Sequence, residues 1–121
     1  RRNLVSPAAT VKLLSHMWES PNKEIFLASL PVAGEDGTLD WRLSRAPARG
    51  KIRAKTGTLS HVTAIAGYIS TADQRNLAFS IMVNNYGGQA SYIRNLVDKI
   101  CVLLVTPEPQ GSTNSEPALT R

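Results

Sequence analysis

Apolar residues first recur at helical spacing. Val11, Leu14, Met17 and Trp18, with Leu13 beside them, follow the opening Leu4-Val5-Ser6-Pro7. Residues three and four apart share one helix face, so this spacing predicts an opening helix. Ser6 is placed to cap its free amides, and Pro7 suits a first helical position, where a missing N–H costs nothing. Ser20-Pro21 ends the helix, because proline disfavours helical backbone in the residue before it. A second short helix is predicted from Asn22 to Leu30, with Ile25, Phe26 and Leu30 on its apolar side, and Pro31 stops it. Val32 to Gly50 reads as a long connection with turn chemistry at Gly34-Glu35-Asp36-Gly37. Trp41 and Leu43 are expected to pin it to the core.

The period then changes to two. Lys51–Thr56 alternates polar and apolar, as a half-exposed strand does. Val62–Ser70 is a second strand, apolar almost throughout, with Gly67 inside it. Thr71-Ala72-Asp73-Gln74 makes a turn, and Leu77–Asn84 is a third strand. Short links between neighbours predict an antiparallel meander. Gly87-Gly88 breaks the chain again before a helix from Ala90 to Val105. There Ile93, Leu96, Val97, Ile100, Leu103 and Leu104 share one face, opposite Arg94, Asn95, Asp98 and Lys99. The expected fold class is α+β: an antiparallel sheet with packed helices, the last helix against one face. Residues 106–121 are polar and rich in Pro, Ser and Thr, and read as a disordered tail.

Composition narrows this further. The chain has 121 residues, 42% hydrophobic and 19% charged, which suits one core and excludes a disordered chain. No run of roughly 18 apolar residues occurs, so no membrane-crossing helix is expected. The start, Arg1-Arg2-Asn3, has neither a methionine nor an apolar leader segment, so the first residue reads as a cut. A single cysteine, Cys101, excludes an intrachain disulfide framework and a cysteine-rich zinc site. Its place beside the apolar face of the last helix predicts a small buried thiol. Fourteen basic residues against nine acidic ones give a net charge of +5, which favours anionic partners. Arg42, Arg45, Arg49, Lys51, Arg53 and Lys55 fall in a stretch with no acid between Asp40 and Asp73. A nucleic-acid reader would show such a patch, but no aromatic stands between Arg42 and Lys55 to stack bases. The stretch reads as a solvated face, and no nucleic-acid partner is expected.

The chemistry-bearing segment is Lys55-Thr56-Gly57-Thr58. K-T-G is one of three elements of serine enzymes that bind penicillin, beside S-x-x-K and S-D-N. A lysine at a strand edge supplies fixed positive charge. A threonine hydroxyl can bind a carboxylate, and a glycine lets a substrate backbone lie against the strand. The next backbone N–H can face a developing oxyanion. Alone, the tripeptide also fits an exposed lysine leading into a Thr-Gly turn. Other candidates are weaker. No acid spacing makes His16 or His61 part of a metal pair. His61 reads as a turn residue, with the rim of a cleft as its alternative. Trp18 and Trp41 read as core anchors, and Asp36 and Asp40 as turn formers.

The surroundings of K-T-G carry a resemblance. Asn3-Leu4-Val5-Ser6-Pro7, Ser29 to Leu39 (SLPVAGEDGTL), Gly50 to Leu59 (GKIRAKTGTL) and Ala64-Ile65-Ala66-Gly67-Tyr68 occur in this order. From about Asn3 to Val105 the chain resembles the D-alanyl-D-alanine carboxypeptidase/endopeptidase family, the class C low-molecular-mass penicillin-binding proteins. The resemblance implies removal of terminal D-Ala from peptidoglycan stem peptides, or cutting of cross-links, through an acyl-serine intermediate. It also implies a β-lactamase/transpeptidase-like domain, a periplasmic or extracytoplasmic location, peptidoglycan peptides and β-lactams as partners, and no cofactor or metal. Lys55 would be the site lysine, Thr56 would contact the terminal carboxylate, Gly57 would make room for the peptide, and Thr58 would give its N–H to the oxyanion hole.

The family's other two elements should precede K-T-G. Ser20-Pro21-Asn22-Lys23 has the letters of S-x-x-K, but Pro21 breaks the turn that must put serine and lysine on one helix face. Ser112-Thr113-Asn114 fits S-x-N, but lies after K-T-G in the polar tail. No nucleophile is therefore assigned within the chain. Residues 1–105 read as the C-terminal part of the transpeptidase domain, inactive by themselves. Two further readings stand beside this one: a fragment of a related serine β-lactamase, and a non-catalytic basic module that binds nucleic acid or wall polymer. An S-x-x-K far upstream would separate enzyme from module.

Overall fold

The computed structural model describes residues 4–106. The elements run α1 (Pro7–Glu19), α2 (Lys23–Ala28), β1 (Ile52–Leu59), β2 (Val62–Ser70), β3 (Asn76–Asn84) and α3 (Ala90–Val105), with one 3-10 turn at Gly37–Leu39. Ser6 caps α1 by accepting from the Ala9 N–H at 3.1 Å, and Pro7 holds the first turn. The strands form an antiparallel sheet in the order β1-β2-β3. The outer edge of β3 has no strand partner among the described residues.

Register assigns the sheet two faces. The pairs Ile52↔Ile69, Ala54↔Gly67 and Thr56↔Ile65 lie on one, and Arg53↔Tyr68, Lys55↔Ala66 and Gly57↔Ala64 on the other. Against the first face, Val97, Cys101 and Val105 of α3 join Ile52, Ala54, Ile65, Ile69 and Phe79 in the main core. On the opposite face, Leu14 and Trp18 of α1 pack with Leu30, Tyr68 and Phe26. Trp18 and Tyr68 have ring centroids 5.2 Å apart, and the Tyr68 hydroxyl donates to the Leu14 carbonyl at 2.6 Å. Gly67 is required where β1 and β2 meet. A Cβ there would collide with the Arg53 carbonyl oxygen and come within 2.6 Å of Ala54 Cα.

The predicted order of elements and the α+β class hold. Several details differ. β1 does not stop at Thr56: the ladder continues through Gly57↔Ala64, Thr58↔Thr63 and Leu59↔Val62. Ser60-His61 then closes the hairpin, His61 taking a left-handed φ of 58°. Trp41 is not a core anchor, being 65% exposed, with the Arg94 guanidinium 5.7 Å from its ring centroid. The connection is held instead by Leu39, Leu43 and Arg42, all buried, and Arg42 Nη2 lies 2.6 Å from Asp98 Oδ1 on α3. On α3 the buried seam is Val97-Cys101-Val105, while Leu96, Ile100 and Leu103 stay exposed. The sheet covers a narrower arc of this helix than its apolar residues span. No described helix is long and apolar enough to cross a membrane. Apart from Thr106, the predicted tail lies outside the described residues.

Candidate active site

Each residue of an antiparallel strand sends its N–H and C=O to the same side, and the side alternates along the chain. Ser70 N donates to the Lys51 carbonyl at 2.8 Å, which turns the odd residues of β1 toward β2. The even residues therefore face the outer edge. Over the first part of that edge a cover is in place. Ala33 N donates to Ile52 O at 2.9 Å, Ala54 N donates to Pro31 O at 3.0 Å, and Val32 bridges Arg53. Past Ala54 the cover ends. The outward N–H and C=O groups of Thr56 and Thr58 have no main-chain partner among the described residues.

K-T-G-T occupies this bare stretch. The Lys55 side chain starts on the α1 face and turns to the edge, where its Nζ donates to the Thr56 carbonyl at 2.7 Å. The Thr56 and Thr58 side chains share the α3 face. The Thr56 hydroxyl donates to the Thr38 hydroxyl at 2.9 Å. Gly57 is exposed, and a Cβ built on it meets nothing within 4 Å. Its backbone has no positive φ, so the fold makes no demand for glycine here. On the α1 face a mostly apolar groove adjoins Gly57, Thr58 and Leu59, lined further by Leu4, Ala64 and Met82. A second apolar groove, between Leu43–Ala48 and α3, contains none of the four residues.

The remaining candidates have other occupations. His61 Nδ1 lies 3.1 Å from the Tyr86 carbonyl oxygen, and its ring meets Tyr86 edge to face. His16 is an exposed residue of α1. Asp36 is a turn former: its Oδ1 accepts from Val32 N at 2.6 Å. Ser20 has extended backbone at the end of α1, and its Oγ accepts from Asn22 N at 3.1 Å. Lys23 begins α2 with its Nζ 3.7 Å from the Trp18 ring centroid. Ser20 and Lys23 therefore belong to different helix ends, and share no helix face. Ser112-Thr113-Asn114 lies outside the described residues. Burial pushes the Cys101 thiol up to about 12, with the Asp98 carboxylate adding to the rise and Arg42 opposing it. A thiol so protonated is no nucleophile. Among the described residues, no three His, Cys, Asp or Glu side chains gather to hold a metal.

Sequence reasoning missed Thr38. Its signals were its place after Gly37 in the turn-rich connection and its membership of SLPVAGEDGTL, one of the segments that carry the resemblance, and neither points to a partner 18 positions away.

Residues 1–105 match the D-Ala-D-Ala carboxypeptidase 3 (S13) family. The chain is 42% identical over 95 residues to a D-alanyl-D-alanine carboxypeptidase of Actinomadura sp. (strain R39), which covers 74% of this chain and 18% of that protein. It is 31% identical over 111 residues to the penicillin-sensitive carboxypeptidase A of Dictyostelium discoideum, which covers 86% of this chain and 21% of that protein. Among solved structures, penicillin binding protein 4 of Haemophilus influenzae superposes with a TM-score of 0.72 at 29% identity, over 84% of this chain and 25% of that one. The same protein in complex with a β-lactam gives a TM-score of 0.72 at 29% identity, over 83% of this chain and 26% of that one. The chain thus spans about a fifth of the length of these curated relatives.

Proposed function

The chain belongs to the D-Ala-D-Ala carboxypeptidase 3 (S13) family, and from that premise we propose that its β1 edge is the substrate-binding wall of a serine-type D-Ala-D-Ala carboxypeptidase acting on peptidoglycan stem peptides. The observation that carries this reading is the bare half of β1. There the outward groups of Thr56 and Thr58 are free of main-chain partners, and the Lys55 ammonium lies at the same edge.

A peptide ending in D-Ala-D-Ala lies extended along this edge and adds to it as a further strand. The Thr56 hydroxyl and the Lys55 charge hold its terminal carboxylate. Gly57 keeps the wall low where the peptide passes. The Thr58 N–H donates to the carbonyl oxygen of the scissile bond and stabilises the negative charge that develops there. The nucleophile is a serine in an S-x-x-K element elsewhere in the whole protein. Its Oγ bonds to the carbonyl carbon, the bond to the last D-Ala nitrogen breaks, and D-Ala departs with a proton. Water then cleaves the acyl-serine ester. A β-lactam acylates the same serine. The substrate places the whole protein in the periplasm or another extracytoplasmic space. No cofactor takes part. The 121-residue chain by itself is inactive, since Ser20 and Lys23 share no helix face.

Intact-mass spectrometry after incubation with benzylpenicillin tests this. The whole protein gains one penicillin mass on its S-x-x-K serine, and the 121-residue chain gains none. Lys55→Ala lowers the acylation rate on the order of 10²–10³-fold, as removal of one preorganised electrostatic contact does. Acylation of Lys55→Ala at the wild-type rate would refute the assignment of this edge.

A further inference from the structure

The geometry points to Thr38 as a positioning residue that acts through Thr56: its hydroxyl holds the Thr56 hydroxyl ready to donate to the substrate carboxylate. This rests on the reading of β1 given above.

A hydroxyl offers one hydrogen to donate and two lone pairs to accept, and its hydrogen rotates to suit its partners. A carboxylate only accepts. The two hydroxyl oxygens lie 2.9 Å apart, so either hydrogen can serve the bond between them. A bound carboxylate fixes the direction. Thr38 donates into Thr56, and the Thr56 hydrogen swings to the carboxylate. The Thr56 oxygen stays hydrogen-bonded throughout, and accepting from Thr38 polarises its O–H as a donor.

This requires Thr38 to be fixed without help from Thr56, and the loop around it is. Asp36 Oδ1 accepts from Val32 N at 2.6 Å, and Gly34 N donates to the Leu39 carbonyl at 2.8 Å. Leu39 is fully buried. Gly37 takes a φ of 57°, and a Cβ there would come within 2.9 Å of Pro31 Cγ. The same segment is paired to β1 through Pro31 and Ala33. Loop and strand therefore form one unit with or without the hydroxyl pair. A bond that is superfluous for holding the loop, yet joins it to the second residue of K-T-G-T, is placed for the ligand.

The test compares two acylating probes on the whole protein. Benzylpenicillin carries a free carboxylate, and its methyl ester does not. Thr38→Val keeps the shape and removes the hydroxyl. It lowers acylation by benzylpenicillin on the order of tenfold, the effect of one net hydrogen bond, and leaves the slower reaction with the methyl ester unchanged. Thr38→Ser restores the benzylpenicillin rate. Adding Thr38→Val to Thr56→Val slows the reaction no further, because the two hydroxyls act in series. Melting temperatures stay within about 2 °C of wild type. Wild-type rates in Thr38→Val, or an equal loss with both probes, would overturn the proposal while leaving the carboxypeptidase reading in place. A whole protein that forms no penicillin adduct would overturn both.

Discussion

The two halves of β1 share one ladder with β2 and differ in everything else. Ile52 and Ala54 are fully buried against α3, and the outer edge beside them is paired to Pro31 and Ala33. Lys55, Gly57, Thr58 and Leu59 are exposed, and the edge beside them is bare. Backbone regularity alone therefore does not decide what a strand is for. The covered half spends its hydrogen bonds on the fold. The bare half leaves the outward groups of Thr56 and Thr58 without main-chain partners among the described residues, while the ladder with β2 runs on through Leu59↔Val62.

Gly67 and Gly57 break this comparison most directly, the first on β2 opposite the covered half and the second within the bare half. Gly67→Ala drives a methyl group into the Arg53 carbonyl and Ala54 Cα. Neither atom can move without parting β1 from β2, so the expected cost exceeds about 3 kcal/mol, read as a lost or strongly lowered melting transition. A melting temperature equal to wild type would show that the covered half is not rigid.

A smaller effect is expected from alkali. Cys101 packs in the same core as Ile52 and Ala54, and its thiol is pushed up to about 12 from an ordinary value of 9.0. The unfolded chain ionises this thiol near pH 9 and the folded chain does not. The stability tied to the neutral thiol is thus fully present below pH 9 and is lost as pH rises toward 12. Between pH 9 and pH 11, denaturant titrations of wild type should lose about 2 kcal/mol more than those of Cys101→Ala. Parallel slopes for the two proteins would mean that water reaches this core.

Gly57→Ala is the least damaging to the fold. Its methyl group enters open space, so the expected change in stability is under about 1 kcal/mol, in either direction. The same methyl group stands where a peptide would pass, so acylation by benzylpenicillin falls while the melting temperature holds. If melting drops as far as is expected of Gly67→Ala, the two halves are not distinct.

Much of this was legible in the residues. Alternation at Lys51–Thr56, the apolar run through Val62–Ser70 and the stripe on the last helix gave the meander and its packed helix. K-T-G-T stood out as a tripeptide and its neighbour. What stayed hidden has physical causes. Gly57 and Thr58 carry no apolar alternation, since nothing covers them, so β1 looked shorter than it is. The cover over Ile52 and Ala54 comes from backbone atoms of Pro31 and Ala33, and main-chain pairing leaves no side-chain signature. Trp41 looked like an anchor because it is large and apolar, whereas the neighbouring Arg42 makes the buried contact through Asp98, 56 positions away. A charged residue seldom goes inside without a partner, and that partner is invisible in one dimension.

The unpartnered outer edge of β3 bears on solubility. Asn76–Asn84 reads NLAFSIMVN, nine residues with no charge and no proline. Natural sheet edges use lysine, proline or bulges to keep copies from pairing strand to strand, and this one uses none. A preparation of the 121-residue chain alone therefore has a template for self-association along β3, and concentration will drive it toward aggregates. At the opposite border of the sheet, the uncovered stretch of β1 carries the exposed Lys55, whose charge would meet its own like on any copy that approached. A charge at that place disfavours strand-to-strand pairing of copies whether or not the chain has chemistry to perform.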